Sequence, residues 1–255
     1  MRNLTMLMDY YELTMSNGYF EKGFKDKMVV FDMFYRKNPD NGGFVVSAGL
    51  EQLIEYIENM HFSKEDIEFL RSKGEFSEGF LQYLADFKFT GNIDALPEGT
   101  ICYPNTPIVT VTAPVIEAQL IETMLLLTMN FQSLIATKAS RICRTAAESG
   151  AVVMEFGARR AHGGDAAILG ARAAYIGGAA ATATVMADER FGVPAIGTMA
   201  HSWIQFFDNE YEAFKAYAEV YPDNCTLLID TYDILNRYDS DMGLSLIHIS
   251  EPTRP

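Results

Sequence analysis

Cysteine, histidine, tryptophan and basic side chains are all scarce in this chain. Its three cysteines, Cys102, Cys143 and Cys225, are far apart and form no C-x-x-C pair. An odd, scattered set excludes a disulfide framework and a thiolate zinc site, and fits reduced thiols in a cytoplasmic protein. The four histidines include no pair at metal-ligand spacing, so no metal is expected to be held by direct protein ligation alone. Lysine and arginine number 20 against 34 acidic residues, a net charge of −14. That balance repels phosphate backbones and anionic lipid, which argues against nucleic acid and membrane partners. Any anionic small molecule must then be held in a local pocket of arginine, lysine and backbone N–H groups. Long apolar runs are absent as well. The longest, residues 124–136, is shorter than the roughly 20 residues a bilayer needs and contains Asn130 and Gln132. The N-terminal MRNLTMLMDYYELTM reaches Asp9 before any sizeable apolar segment, so no signal peptide is expected. There is no internal repeat and no low-complexity segment.

What is present is a globular composition, 49% hydrophobic and 21% charged over 255 residues, enough for one large domain or two smaller ones. Tyr11, Met15 and Tyr19 repeat at helical spacing and predict a short helix over 8–18. The segment 29–35 reads as a strand, the turn-rich RKNPDNGG as a loop, and 44–47 as a further strand. Leu50, Leu53, Ile54 and Ile57 share one face of a helix over 48–60. Ser63 opens SKED, a capping-box pattern for a helix from Lys64, and 77–86 predicts another. Strands are expected near 91–93, 101–103 and 107–112. A long apolar helix follows over 115–149, broken once, with Pro114 at its start and Gly150 at its end. Beyond it the pattern alternates: strand 151–156, helices 165–175 and 178–190, strand 193–197, helix 209–219, strand 226–230. Such alternation indicates a parallel α/β sheet or barrel. The ending SLIHISEPTRP has no preparing turn or helix signal and resembles translated sequencing-adapter read-through, so 237–255 is set aside as a non-native tail.

Ligands in α/β folds gather at the carboxyl ends of strands. Two clusters fall there. Glu155-Phe156-Gly157-Ala158-Arg159-Arg160 with Gly163-Gly164-Asp165 suits an anion, since guanidinium groups grip carboxylate or phosphate in a fork and the acid can pair with the arginine or orient substrate. A plain salt-bridged loop on a solvated face is the alternative. GTMAHSW, residues 197–203, places Gly197, Thr198, His201 and Ser202 after a short apolar strand. His201 in that position is either a structural imidazole or a group that does chemistry; a metal role is weaker, with no second ligand nearby. His162 carries the same two alternatives, and His61 and His248 are discounted. Gly177-Gly178 with Thr182 and Thr184 reads as a phosphate-binding turn or as close helix packing. Asp230-Thr231-Tyr232-Asp233 offers acids for Mg²⁺ or a ribose, or a helix cap.

Taken together, Asp9-Tyr10-Tyr11-Glu12-Leu13-Thr14-Met15, EFGARRAHGGDAA at 155–167, ARAAYIGG at 171–178, GTMAHSW and TLLIDTYD at 226–233 resemble the nicotinate phosphoribosyltransferase family over about residues 4–236. The resemblance implies an α/β fold class. An N-terminal α/β (α+β) domain over 1–112 may receive later segments; part of an irregular α/β barrel over 113–236 is incomplete at its C-terminus. It implies condensation of nicotinate with phosphoribosyl pyrophosphate to nicotinate mononucleotide, coupled to ATP hydrolysis, with Mg²⁺. By the same resemblance His201 is the histidine phosphorylated by ATP, and Glu155 is a second catalytic candidate. Tyr11, Thr198 and Asp9 belong to the nicotinate site, and Arg159 meets substrate anions. Arg141, Gly177, Gly178 and Asp230 are candidate contacts to phosphate or Mg²⁺-bound substrate. A homodimer is implied, with Tyr11 acting across subunits. His162 departs from the family's usual glutamine, and nothing in the sequence explains it. The family's later nicotinate-site arginine and its glycine-rich 5′-phosphate loop fall beyond residue 236 and are not found, so this chain alone is expected to be poorly soluble or inactive. Nicotinamide phosphoribosyltransferase and a non-catalytic nucleotide-binding relative are the alternative assignments.

Overall fold

In the computed structural model, residues 3–232 are described. The expectations for Asp233, His248 and the 237–255 tail lie outside them.

The N-terminal half is built around a small antiparallel sheet. Strands β1 (Met28–Met33), β3 (Asn92–Ala95) and β5 (Val109–Pro114) pair in the order β1-β5-β3, both pairs antiparallel. β2 (Val45–Val46) and β4 (Ile101–Cys102) form a second, two-stranded antiparallel ladder. Alternation sets the sheet's faces: along β5, Val109, Val111 and Ala113 are buried while Thr110, Thr112 and Pro114 are only partly so. Helices α1 (Tyr10–Glu21), α2 (Leu50–Asn59), α3 (Lys64–Ser72) and α4 (Glu78–Ala85) cover this core. Residues from Leu13 to Met129 share one apolar cluster, centred on fully buried Phe80, Leu53, Leu84 and Ile116.

Local signals place the helix ends as the sequence predicts. Ser63 Oγ accepts from Asp66 N at 3.1 Å and Asp66 Oδ2 accepts from Ser63 N at 2.8 Å, a complete capping box for α3. The long helix breaks once, at Ile121, into α5 (Val115–Leu120) and α6 (Glu122–Glu148). Gly150, at φ +74°, closes α6 in the left-handed conformation that glycine tolerates. α5 is wholly buried, which explains why its sequence shows no polar face.

Beyond residue 150 the chain is a parallel β/α run. β6 (Met154–Glu155) pairs in parallel with β7 (Ala181–Thr182), with α7 (Gly164–Ile176) between them. Thr182 makes a further parallel bridge to Ala195. α8 (Val185–Phe191), α9 (His201–Phe206) and α10 (Glu210–Val220) complete the described elements. Three expectations need correction. The helix expected over 178–190 is instead β7 followed by α8. Alanine-rich GGAAATAT has helical propensity, but Gly178 at φ +104° ends α7, and Thr182 then bonds to residue 194 and 196 backbone, overriding propensity. The strand expected at 193–197 is reduced to the single bridge at Ala195, and 226–230 forms no ladder among the described residues. An apolar run shows that a segment is buried, while a strand also needs a hydrogen-bonded neighbour.

Candidate active site

The carboxyl ends of the parallel segments converge. Glu155 ends β6 and folds back on itself: Oε1 accepts from Gly157 N at 2.5 Å and Oε2 accepts from Thr182 Oγ1 at 2.8 Å. A Cβ on residue 157 would lie 2.8 Å from Glu155 Oε1, so a side chain there would push the carboxylate from its place on Gly157 N. The same Thr182 hydroxyl accepts from Thr184 N at 3.0 Å, which couples the ends of β6 and β7 through a fully buried side chain. Arg159 and Arg160 sit on the single 3-10 turn Ala158–Arg160. Arg160 Nη1 reaches Phe156 O at 3.3 Å, whereas Arg159 is exposed with no hydrogen bond or ion pair to another described residue. It is a guanidinium held in solvent at a strand end.

The 197–201 segment leaves the sheet beside this turn, since Ile196 N donates to Thr182 O at 2.9 Å. Thr198 Oγ1 donates to Thr226 O, and His201 opens α9 rather than lying in a loop. His201 Nδ1 is 3.2 Å from Thr231 Oγ1 and 3.9 Å from Asp230 Oδ1, with its side chain about half exposed. Segments 198–201 and 226–231 are thus joined at both ends. With Nδ1 engaged there, Nε2 is the nitrogen available to an incoming electrophile.

The structure therefore brings Glu155, Arg159, Thr198, His201 and Asp230 to one end of the parallel segments. It places the other sequence-derived candidates elsewhere. Asp9 caps α1 and its N–H donates to Thr123 Oγ1 at 3.1 Å. Tyr11 donates to Glu122 Oε1 at 2.9 Å, and burial followed by that hydrogen bond pushes its phenol up to about 12. Both lie at the α1–α6 junction. Arg141 donates to Pro39 O at 2.9 Å and pairs with Asp40 at 3.4 Å, holding the 39–42 turn onto α6. Gly177 packs so closely on α6 that a Cβ there would overlap Ala136 O, and Gly178 closes α7 beside Cys143. Of the two alternatives for this glycine pair, the geometry is that of close helix packing.

Two contacts are not legible in the sequence. Thr231 cannot be read as the neighbour of His201, because thirty residues separate them and no ladder pattern marks the pairing. Arg172 makes a buried ion cluster; its only sequence signal is one charge inside the apolar stretch Ala171 to Ile176. Among the described residues no group of three or more His, Cys, Asp or Glu converges to hold a metal ion. Glu155 already accepts at both oxygens, while Asp230 and Asp165 are exposed carboxylates at the strand ends. One carboxylate suits Mg²⁺ held mainly by substrate phosphates. No helix of the described residues is long and apolar enough to cross a membrane.

Residues 6–130 match the family described as nicotinate phosphoribosyltransferase N-terminal domain. The chain is 45% identical over 240 residues to nicotinate phosphoribosyltransferase pncB2 of Mycobacterium tuberculosis, covering 94% of this chain and 51% of that protein. It is 46% identical over 233 residues to the Bacillus subtilis nicotinate phosphoribosyltransferase, covering 91% and 47%. Among solved structures it resembles human nicotinic acid phosphoribosyltransferase with a TM-score of 0.81 at 28% identity, covering 88% of this chain and 55% of that one. The chain thus spans about half the length of the curated relatives it matches.

Proposed function

We propose that this chain belongs to the nicotinate phosphoribosyltransferase family and that its site serves the reaction its relatives are named for: transfer of a phosphoribosyl group to nicotinate, in NAD biosynthesis, driven by ATP through a phosphohistidine at His201. The observation that carries this reading is the imidazole geometry. Thr231 Oγ1 lies 3.2 Å and the Asp230 carboxylate 3.9 Å from Nδ1, which favours the tautomer with its proton there and leaves the Nε2 lone pair to attack the γ-phosphorus of ATP. The N–P bond forms as the P–O bond to ADP breaks, and water later takes the phosphoryl group from His201. In the transfer itself the pyridine nitrogen of nicotinate attacks the anomeric carbon and the bond to pyrophosphate breaks, through an oxocarbenium-like state. Exposed Arg159 is the cation for substrate anions, and Glu155, pinned by Gly157 and Thr182, is a fixed negative charge near the reacting ribose. Thr198 contributes a hydroxyl to the nicotinate side of the site. Asp230 would help hold a substrate-bound Mg²⁺, which would supply charge neutralisation on the leaving pyrophosphate.

Tyr11 and Asp9 lie apart from these residues within one chain, which accords with a homodimer in which the partner's N-terminal segment completes the nicotinate site. The three free thiols accord with a cytoplasmic setting. The test is incubation of the protein, at the full length of its relatives, with [γ-³²P]ATP. An acid-labile, base-stable label is expected that His201→Ala abolishes, while slow ATP-independent formation of nicotinate mononucleotide persists. Unchanged labelling in that variant would overturn the assignment. Competition between nicotinate and nicotinamide in the same assay decides the base, with nicotinate expected to win.

A further inference from the structure

One buried cation, away from the strand ends, joins four segments of the chain. Arg172, in the third turn of α7, has a side chain only 10% exposed. Its Nη1 donates to Glu98 Oε1 at 2.9 Å and its Nη2 to Glu98 Oε2 at 2.6 Å, a two-pronged pair. Nη1 also reaches Gln132 Oε1 on α6 at 3.3 Å, and Nη2 contacts Glu51 on α2. The guanidinium carbon lies 5.4 Å from the centre of the Phe191 ring on α8. Glu98 Oε1 accepts in addition from Gly49 N at 2.5 Å and Leu50 N at 3.2 Å, so the same carboxylate caps α2. Burial alone would push the Glu98 carboxyl up; Arg172 and the two amides outweigh it and hold the group below its ordinary value.

The helix so anchored is the one that carries the candidate site. α7 packs against β6, β7 and the 3-10 turn bearing Arg159, and its first residue directly follows the 156–163 loop. Arg172 lies eight residues beyond Gly164, about 12 Å along the helix axis at 1.5 Å per residue. A helix is stiff over that length, so a displacement at Arg172 is passed to the turn. A buried ion pair gives little net stability against an apolar replacement, but it fixes geometry in a way apolar contacts do not.

We infer that Arg172 is a positioning residue: by tying α7 to Glu98 and the start of α2, it sets where the Arg159 turn stands relative to Glu155 and His201. This rests on the reading that the strand-end residues form the substrate site. The planar fork matters, because a lysine at 172 would offer Glu98 a single point charge without fixing rotation about the helix.

Three variants of the 255-residue chain test this by hydrogen-exchange mass spectrometry alongside thermal unfolding: Arg172→Met, Arg172→Lys, and Arg172→Met combined with Glu98→Gln. The amides of Gly157, Arg160 and Ala161 are hydrogen-bonded and report on the turn. Arg172→Met is expected to speed exchange over 156–164 at least tenfold while α3 and α4 hold their protection. Arg172→Lys falls between. The double variant removes the lone buried carboxylate, and its amide oxygen still accepts from Gly49 and Leu50, so the melting temperature and α2 protection recover. Protection of 156–164 does not. Recovery of the turn along with the melting temperature, or no loss of its protection in any variant, would overturn the inference. In turnover assays of the protein at its relatives' full length, the double variant is expected to raise KM for phosphoribosyl pyrophosphate at least fivefold and leave KM for nicotinate unchanged. If the unmodified protein at its relatives' full length shows neither turnover nor phosphoribosyl pyrophosphate binding, the substrate-site reading falls, and the exchange data on the 255-residue chain still decide whether Arg172 places the turn.

Discussion

Glu12 shows how one buried carboxyl makes stability depend on pH. Its side chain is fully buried, with Oε1 accepting from Thr123 N at 3.0 Å and Thr123 Oγ1 at 2.6 Å, while Oε2 has no partner. Burial raises its pKa, the Thr123 bonds oppose this, and the charges of Glu122 and Asp9 add to it. A carboxyl raised in the folded state contributes its stability at low pH, where it is neutral in both states, and loses it as pH rises through the folded value. Around neutral pH an ionised Glu12 is therefore a cost. Glu12→Gln keeps an oxygen for Thr123 and removes the buried charge. It is expected to raise the melting temperature at pH 8 by a few degrees, about 2–4 °C per kcal/mol for a chain of this size, and by much less at pH 4. Equal effects at both pH values would show that titration is not the cause. The sequence places Glu12 in a helix, but its burial is a tertiary fact.

Elements with local signals were legible. The Ser63 capping box, the Gly150 stop and the alternation of β5 are each written within a few residues, and each element forms where its signal stands. The parallel half was less so, because β6 and β7 are two residues long and are defined by pairing with distant segments, each other and the bridge at Ala195. No short window of sequence contains that pairing. Gly177 makes the same point in energetic terms. As a phosphate-turn residue it would tolerate alanine poorly only in ligand binding. As a packing residue it has no room for a methyl, which would overlap Ala136 O and stand 2.8 Å from Ala139 Cβ unless α6 moved away from α7. Gly177→Ala is expected to cost about 1–3 kcal/mol in urea unfolding with no ligand present. A neutral result would return the glycine pair to the phosphate role.

Across the molecule, the described surface carries more apolar area than its polar helices require. Val152, Met154 and Phe156 line the β6 segment, and Leu126, Leu127, Leu134 and Ile142 lie exposed along α6. Patches of this kind drive association, and a net charge of −14 opposes it through long-range repulsion. Salt screens the repulsion and leaves the apolar attraction. The 255-residue chain is accordingly expected to shift toward larger species in light scattering as salt rises from about 20 to 500 mM; a monomer at every salt concentration would show these faces to be too dispersed to associate. The amino-acid sequence by itself determined the charge balance, the helix boundaries of the N-terminal half, the strand-end motifs and the family resemblance, since each is carried by residue type and spacing within short windows. Tertiary structure alone decided that Thr182 pins Glu155, that Asp230 and Thr231 engage His201, and that Arg172 anchors α7 through Glu98. The partners are 27 to 74 residues apart in the chain, and only packing brings Thr182, Thr231 and Arg172 within hydrogen-bonding reach of Glu155, His201 and Glu98 and sets the Asp230 carboxylate 3.9 Å from the imidazole.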